Sequence, residues 1–185
     1  MGTASNDGRT VWIERISGQL GTWVNQVEIA IKNNLPNINV TSETIVAGLL
    51  NRMYDWKLVN ANSRAQNFPG VDLVDEDECI AVQVTSTNSV EKVDNTLEKF
   101  FAHKLDDLFD KVLIVVITNQ NPTNGMKKRK REPWFDGAHD VWNIPGLLRK
   151  MNDLEVQRLE EISIAVEALQ LWMQQAEAEG KIEQA

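Results

Sequence analysis

The run Val112-Leu113-Ile114-Val115-Val116-Ile117-Thr118 is aliphatic from end to end except for its closing threonine. A strand with one wet face alternates apolar and polar residues, so an uninterrupted run of this length needs cover on both faces. A chain that contains it must build a sheet with other layers over it. The elements on either side decide what those layers are.

Upstream, Val11, Trp12, Ile16, Leu20, Trp23, Val27, Ala30 and Ile31 recur at steps of three and four, which predicts an amphipathic helix from Val11 to about Leu35, stopped by Pro36. A second helix is expected from Ser42 as N-cap, carrying Ile45, Val46, Leu49, Leu50 and Met53 toward Trp56. Lys57–Asn67 reads as a polar connection or short edge strand. Phe68-Pro69-Gly70 is turn chemistry, followed by Val71–Val74, an acidic turn at Asp75–Glu78 that reads as solvated, and the β-favouring run Cys79–Thr85. That pattern spells a hairpin, with Cys79 as a small core filler.

Asn88 or Ser89 can cap a third helix, with Glu91 placed as in a capping box and Val90, Val93, Leu97, Phe101, Leu105 and Leu108 as its inner stripe. After the apolar strand, residues 119–143 read as a long loop. Pro145 opens a short helix, and from Asp153 a last helix carries Leu159, Ile162, Val166, Leu169 and Met173. That stripe packs on its own domain, or forms a dimer or partner seam over residues 153–173. The element order implies an α/β fold, one mixed sheet flanked by helices, with helices at both ends of the chain. The 185 residues suit one domain over 10–175, a flexible N-terminus over 1–9 and a polar tail over 176–185.

Composition excludes several classes. Charged residues make up 25% of the chain and no stretch is long and apolar enough for a membrane helix. Nothing at the start resembles a secretory signal, and a single cysteine allows no internal disulfide, so a cytoplasmic setting is expected. His103 and His139 have no companions at zinc-ligand spacing. A net charge of −8 argues against binding DNA through the whole surface. The local run Lys127-Lys128-Arg129-Lys130-Arg131 is the exception, a candidate backbone contact or a solvated loop, with Trp134 beside it as a base-stacking candidate.

The segment with chemical content runs from Asn67 to Ser86. A tight hairpin sets Asp72, just after Pro-Gly, beside Gln83 on the returning strand. A carboxylate and a neutral oxygen ligand held by rigid strands suit a hard divalent cation, which takes oxygen ligands and keeps several waters.

Pro69-Gly70-Val71-Asp72-Leu73, Ile80 through Ser86, and Ser89-Val90-Glu91-Lys92 resemble the SMEK domain, a bacterial module associated with phage defence; Val90 stands where that name has Met. Ser42-Glu43, Leu50-Asn51, Asn67-Phe68-Pro69, and Asp140-Val141-Trp142 followed by Leu147-Leu148 extend the resemblance over roughly residues 10–170. More remotely, the pattern is similar to the PD-(D/E)xK restriction-endonuclease superfamily. That resemblance implies a Mg²⁺- or Mn²⁺-dependent endonuclease acting on DNA, with Glu43 as the helical acid, Asp72 as the bridging aspartate and Gln83 in place of the second acid, as in Mrr-type enzymes.

Thr85 stands where the superfamily has its lysine, and a hydroxyl can orient water without offsetting charge on phosphorus. Lys92 on the following helix is the replacement candidate. Helical geometry sets it opposite the expected stripe, on a face shared with Lys99 and His103, where a phosphate contact is as suitable a role as catalysis. The alternative reading is a nuclease-like fold without hydrolysis, binding nucleic acid or protein within a larger defence complex.

Overall fold

The computed structural model describes residues 4–33, 38–63 and 68–178, with side chains described for 8–33, 41–63 and 68–171. Leu35, Pro36, Asn67 and most of the expected polar tail lie outside the described residues, and the Met173 side chain outside the described side chains. The elements are α1 (Ala4–Lys32), α2 (Ile38–Tyr54), β1 (Val59–Asn60), β2 (Leu73–Asp75), β3 (Ile80–Thr85), α3 (Val90–Ala102), β4 (Lys111–Val116), α4 (Asn124–Lys127), β5 (Lys130–Arg131), β6 (Phe135–Asp136), α5 (Gly137–Asp140), β7 (Val141–Asn143), α6 (Ile144–Met151) and α7 (Val156–Ala178). They divide into a helical unit, residues 1–55 with 145–185, and a sheet unit, Trp56–Ile144.

In the helical unit α7 packs against both α1 and α2. Ile16, Leu20, Trp23 and Val27 of α1, Ile45, Val46, Leu49 and Leu50 of α2, and Leu159, Ile162 and Val166 of α7 are buried at the three-and-four spacing expected of them; Val24 joins them, while Val11 and Ile31, also expected in the α1 stripe, are exposed. Polar ties reinforce the packing: Arg9 donates to the Leu154 carbonyl at 2.6 Å and to that of Asn152, and Arg158 reaches Asp55 at 2.7 Å. Both early helices start sooner than expected. Residues 4–9, read as part of a free N-terminus, are helical, and α2 begins at Ile38, so Ser42 is a buried residue of the second turn rather than a cap.

The sheet unit carries a five-stranded mixed sheet in the order β1-β2-β3-β4-β7. β2 and β3 form the expected hairpin, with Leu73 opposite Val82 and Asp75 opposite Ile80. β1 adds antiparallel at the edge, which settles Lys57–Asn67 as containing a short edge strand. From β3 the chain crosses through α3 to β4, parallel to β3 with Gln83 beside Ile114. The expected two-sided burial of this strand holds, since Val112 through Val116 are each at most 1% exposed. On the face covered by α3, Val74, Ala81, Val112, Ile114 and Val116 pack with Val93, Leu97 and Phe100.

Two sequence expectations for this unit are corrected. Ser89, one of the two expected caps, does cap α3, accepting from the Lys92 amide at 3.2 Å, but the helix ends at Ala102, so Leu108 is exposed and Leu105 belongs to the following turn. Residues 119–143 are not a plain loop. They hold α4, a small β5-β6 pairing, α5 and β7, which adds parallel to β4. Gly137 makes this compact: a Cβ there would lie 2.0 Å from the Met126 carbonyl oxygen.

The acidic hairpin turn is also more than a solvated loop. Asp75 is 2% exposed, and its carboxylate accepts from the amides of Lys57 at 2.6 Å, Asp77 at 3.0 Å and Glu78 at 3.2 Å. Cys79 follows in a left-handed conformation, φ 51°, and is half-buried rather than a core filler.

Candidate functional site

Strand pleating decides what faces α3. Ala81 lies on that face, so Gln83, two residues on, shares it, and the hairpin register sets Asp72 directly opposite Gln83. The pair is in contact. The Gln83 amide nitrogen donates to Asp72 Oδ2 and to the Val84 carbonyl at 3.0 Å, while the Val84 backbone amide donates to the same Asp72 oxygen at 2.7 Å. Asp72 Oδ1 and Gln83 Oε1 have no hydrogen-bond partner among the described residues.

α3 supplies the opposite wall. Its buried residues are Val93, Thr96, Leu97 and Phe100, so Lys92 lies about a quarter turn from the buried face, not opposite it. Lys92, Asn95, Thr96 and Lys99 therefore line one flank, and with Asp72, Gln83 and Asn62 they enclose a polar pocket of about 240 Å³. The expectation that Lys92 and Lys99 share a face holds; His103 is not among the lining residues. Gly70 closes one side. It adopts φ 79°, open to glycine and costly for other residues, and a Cβ there would sit 3.0 Å from that of Lys99, so the Pro69-Gly70 turn lies directly against the helix.

Burial pushes the Asp72 carboxyl above the ordinary carboxylate range, opposed by the Val84 amide, the Lys92 charge and the Gln83 bond. A desolvated carboxylate facing a lysine in a pocket is the kind of group that binding and catalytic sites contain.

The remaining expected site residues fall elsewhere. Thr85 shares the Gln83 face of β3, but its hydroxyl accepts from the Thr87 amide at 3.0 Å and it does not line the pocket. Glu43 is half-buried on α2, in the second turn rather than the first, and belongs to the helical unit. Within the basic run, Arg129 forms a two-pronged pair with Asp94 at 2.6 and 2.8 Å, and Lys130 meets Asp136 at 2.9 Å. Lys127 and Lys128 are exposed, and Arg131 lies over the Phe101 ring. No group of three or more His, Cys, Asp or Glu residues able to hold a metal is present among the described residues. Sequence reading missed Asn62, Asn95 and Thr96; the last two were available from their spacing, three and four residues beyond Lys92.

A mixed sheet whose hairpin and crossover helix enclose an acid, an amide and two lysines defines an α/β protein with a polar site built on one short stretch of chain. The model of the SMEK domain matches residues 15–152, and the chain belongs to that family. No curated protein and no solved structure matches it. No helix among the described residues is long and apolar enough to cross a membrane.

Proposed function

We propose that the sheet unit hydrolyses phosphodiester bonds, with DNA as substrate and Mg²⁺ or Mn²⁺ as cofactor, as the endonuclease domain of a bacterial anti-phage system. The observation that carries this reading is the convergence of Asp72, Gln83 and Lys92 in one polar pocket. The donor set suits an ion that keeps most of its water: one carboxylate and one amide, each with an oxygen free of described partners. When bound, the ion supplies a water of lowered pKa and offsets charge on the phosphate.

The chain's own residues do the rest. Asp72 and Gln83 would hold the ion, and the Val84 amide fixes the carboxylate that would do so. Lys92 positions the attacking water or the scissile phosphate, and Lys99, two helical turns further along, binds phosphate at the rim. The resemblance to phage-defence modules supports the biological setting. The Lys127–Arg131 run has a smaller part than its charge suggests, since Arg129 and Lys130 already face carboxylates; Lys127 and Lys128 remain as backbone contacts.

One observation favours the alternative of a binding module without hydrolysis: Thr85, where the remote resemblance would expect a lysine, has a hydroxyl that caps its own loop. A single experiment separates the two. Purified protein is incubated with supercoiled plasmid and with single-stranded DNA, in Mg²⁺ or in EDTA, beside Asp72→Asn and Lys92→Ala. Metal-dependent nicking lost in Asp72→Asn supports the nuclease. A DNA shift that needs no metal and survives Asp72→Asn, with no cleavage, supports the binding module and overturns the hydrolytic reading.

A further inference from the structure

A cavity larger than the Asp72 pocket lies on the other flank of α3. It measures about 980 Å³, and Leu97, Phe101 and Trp134 give it an apolar floor. The rings are ordered edge to face: Phe101 meets Trp134 at 5.6 Å between centroids and 82°, with Phe100 beyond it at 5.3 Å and 86°. Phe101 and Trp134 are half-buried, so part of each ring faces the cavity.

Charge around this floor is unbalanced. Among the cations of the lining, Arg129 is held by Asp94 and Lys130 by Asp136, which leaves Arg131. Among the acids, Glu98 and Asp106 have no hydrogen-bond or ion-pair partner among the described residues, and Glu132 feels only the nearby charge of Lys130, which Asp136 already holds. The free carboxylates outnumber the free cation, so a phosphate backbone is repelled here and a cation attracted. Arg131 already shows what the floor accepts: its guanidinium carbon sits 5.8 Å from the Phe101 ring centroid.

We infer that this groove docks a basic segment of a partner protein, with an arginine side chain lying on the Phe101-Trp134 floor between the free carboxylates. Arginine suits the site better than lysine because its planar, weakly hydrated guanidinium stacks on rings and pairs with carboxylates at its edge. The volume exceeds that of one side chain and matches a short stretch of polypeptide. The groove is separate from the Asp72 pocket, and the inference stands whether or not that pocket hydrolyses DNA.

The test is fluorescence anisotropy on the full chain with a labelled peptide bearing arginines spaced by glycines. The same peptide with citrulline for arginine and a thymidylate strand of about ten nucleotides serve as comparisons. The arginine peptide binds, more weakly as salt rises, and citrulline lowers affinity by at least about fivefold. The double change Glu98→Gln with Glu132→Gln weakens the arginine peptide by roughly five- to tenfold, and Trp134→Ala does the same. Both glutamates are exposed, so that variant decides the matter even if Trp134→Ala fails to fold. Failure of the arginine peptide to bind, or binding indifferent to the glutamate changes, overturns the inference. A thymidylate strand that binds and is lost in Trp134→Ala, with the arginine peptide unaffected, assigns the groove to nucleic acid instead.

Discussion

Asp72 immediately precedes β2 and Asp75 ends it, three residues apart, and they do opposite things with the same carboxylate. Asp75 takes the amides of Lys57, Asp77 and Glu78 and is almost fully buried. Asp72 takes one backbone amide and one side-chain amide, keeps an oxygen without a described partner, and faces a pocket with two lysines. A carboxylate saturated by backbone donors builds a turn. One left partly unsatisfied in a desolvated pocket retains capacity for something that is not protein.

The sharpest way to break this comparison is to neutralise each acid in turn. Asp72→Asn should lower metal-dependent cleavage by about 10³-fold or more while leaving the melting temperature unchanged or higher, because it removes a buried charge. Parallel nicking assays and thermal melts check it, and a large loss of stability would move Asp72 into the same class as Asp75. Asp75→Ala should do the reverse, costing roughly 2–4 kcal/mol in denaturant unfolding because buried donors lose their acceptor, with activity per folded molecule retained.

Lys92→Ala should reduce cleavage by about 10- to 100-fold and move the acid limb of the pH–rate profile to higher pH, since the Lys92 charge holds the Asp72 carboxyl down. A limb that stays in place would separate Lys92 from Asp72. Gly70→Ala should cost about 1–2 kcal/mol from the left-handed φ and the close approach to Lys99, read by chemical denaturation.

The smallest effect is in pH dependence, and its sign separates two kinds of acid. Asp72 has a raised carboxyl, so its ionised form costs stability at neutral pH and that cost disappears as pH falls through its folded value. Asp136 is lowered to about 2, chiefly by its bond to Lys130, so it contributes stability above the ordinary value of 3.8 that is lost as pH falls toward 2. Melting curves of Asp72→Asn and Asp136→Asn across acidic pH should therefore diverge from the parent in opposite directions.

What was legible in the sequence was local in the chain. The hairpin, α3 and β4 each follow from a contiguous pattern, and the contact of Asp72 with Gln83 follows from hairpin register alone. The expected face of Lys92 was wrong by about a quarter turn because Phe101 and Leu108 were counted as core. Tertiary packing instead buries Thr96 and Phe100, and a polar threonine does not register in an apolar stripe. β7 was missed because Val141-Trp142-Asn143 is a strand only by virtue of β4 beside it. Asp75 was misread because four successive acids look solvated, and nothing in their composition marks the one whose oxygens meet three amides.

The lengths of the strands have a consequence for how this unit meets other chains. The sheet is six residues deep at β3 and β4 but only two at β1 and three at β7, its two edges. An incoming strand would find few backbone groups to pair with, so growth of the sheet by strand addition, whether in aggregation or in recognition, has little purchase. What the unit offers instead is side chains on its helical face, where α3 stands with a pocket on each flank.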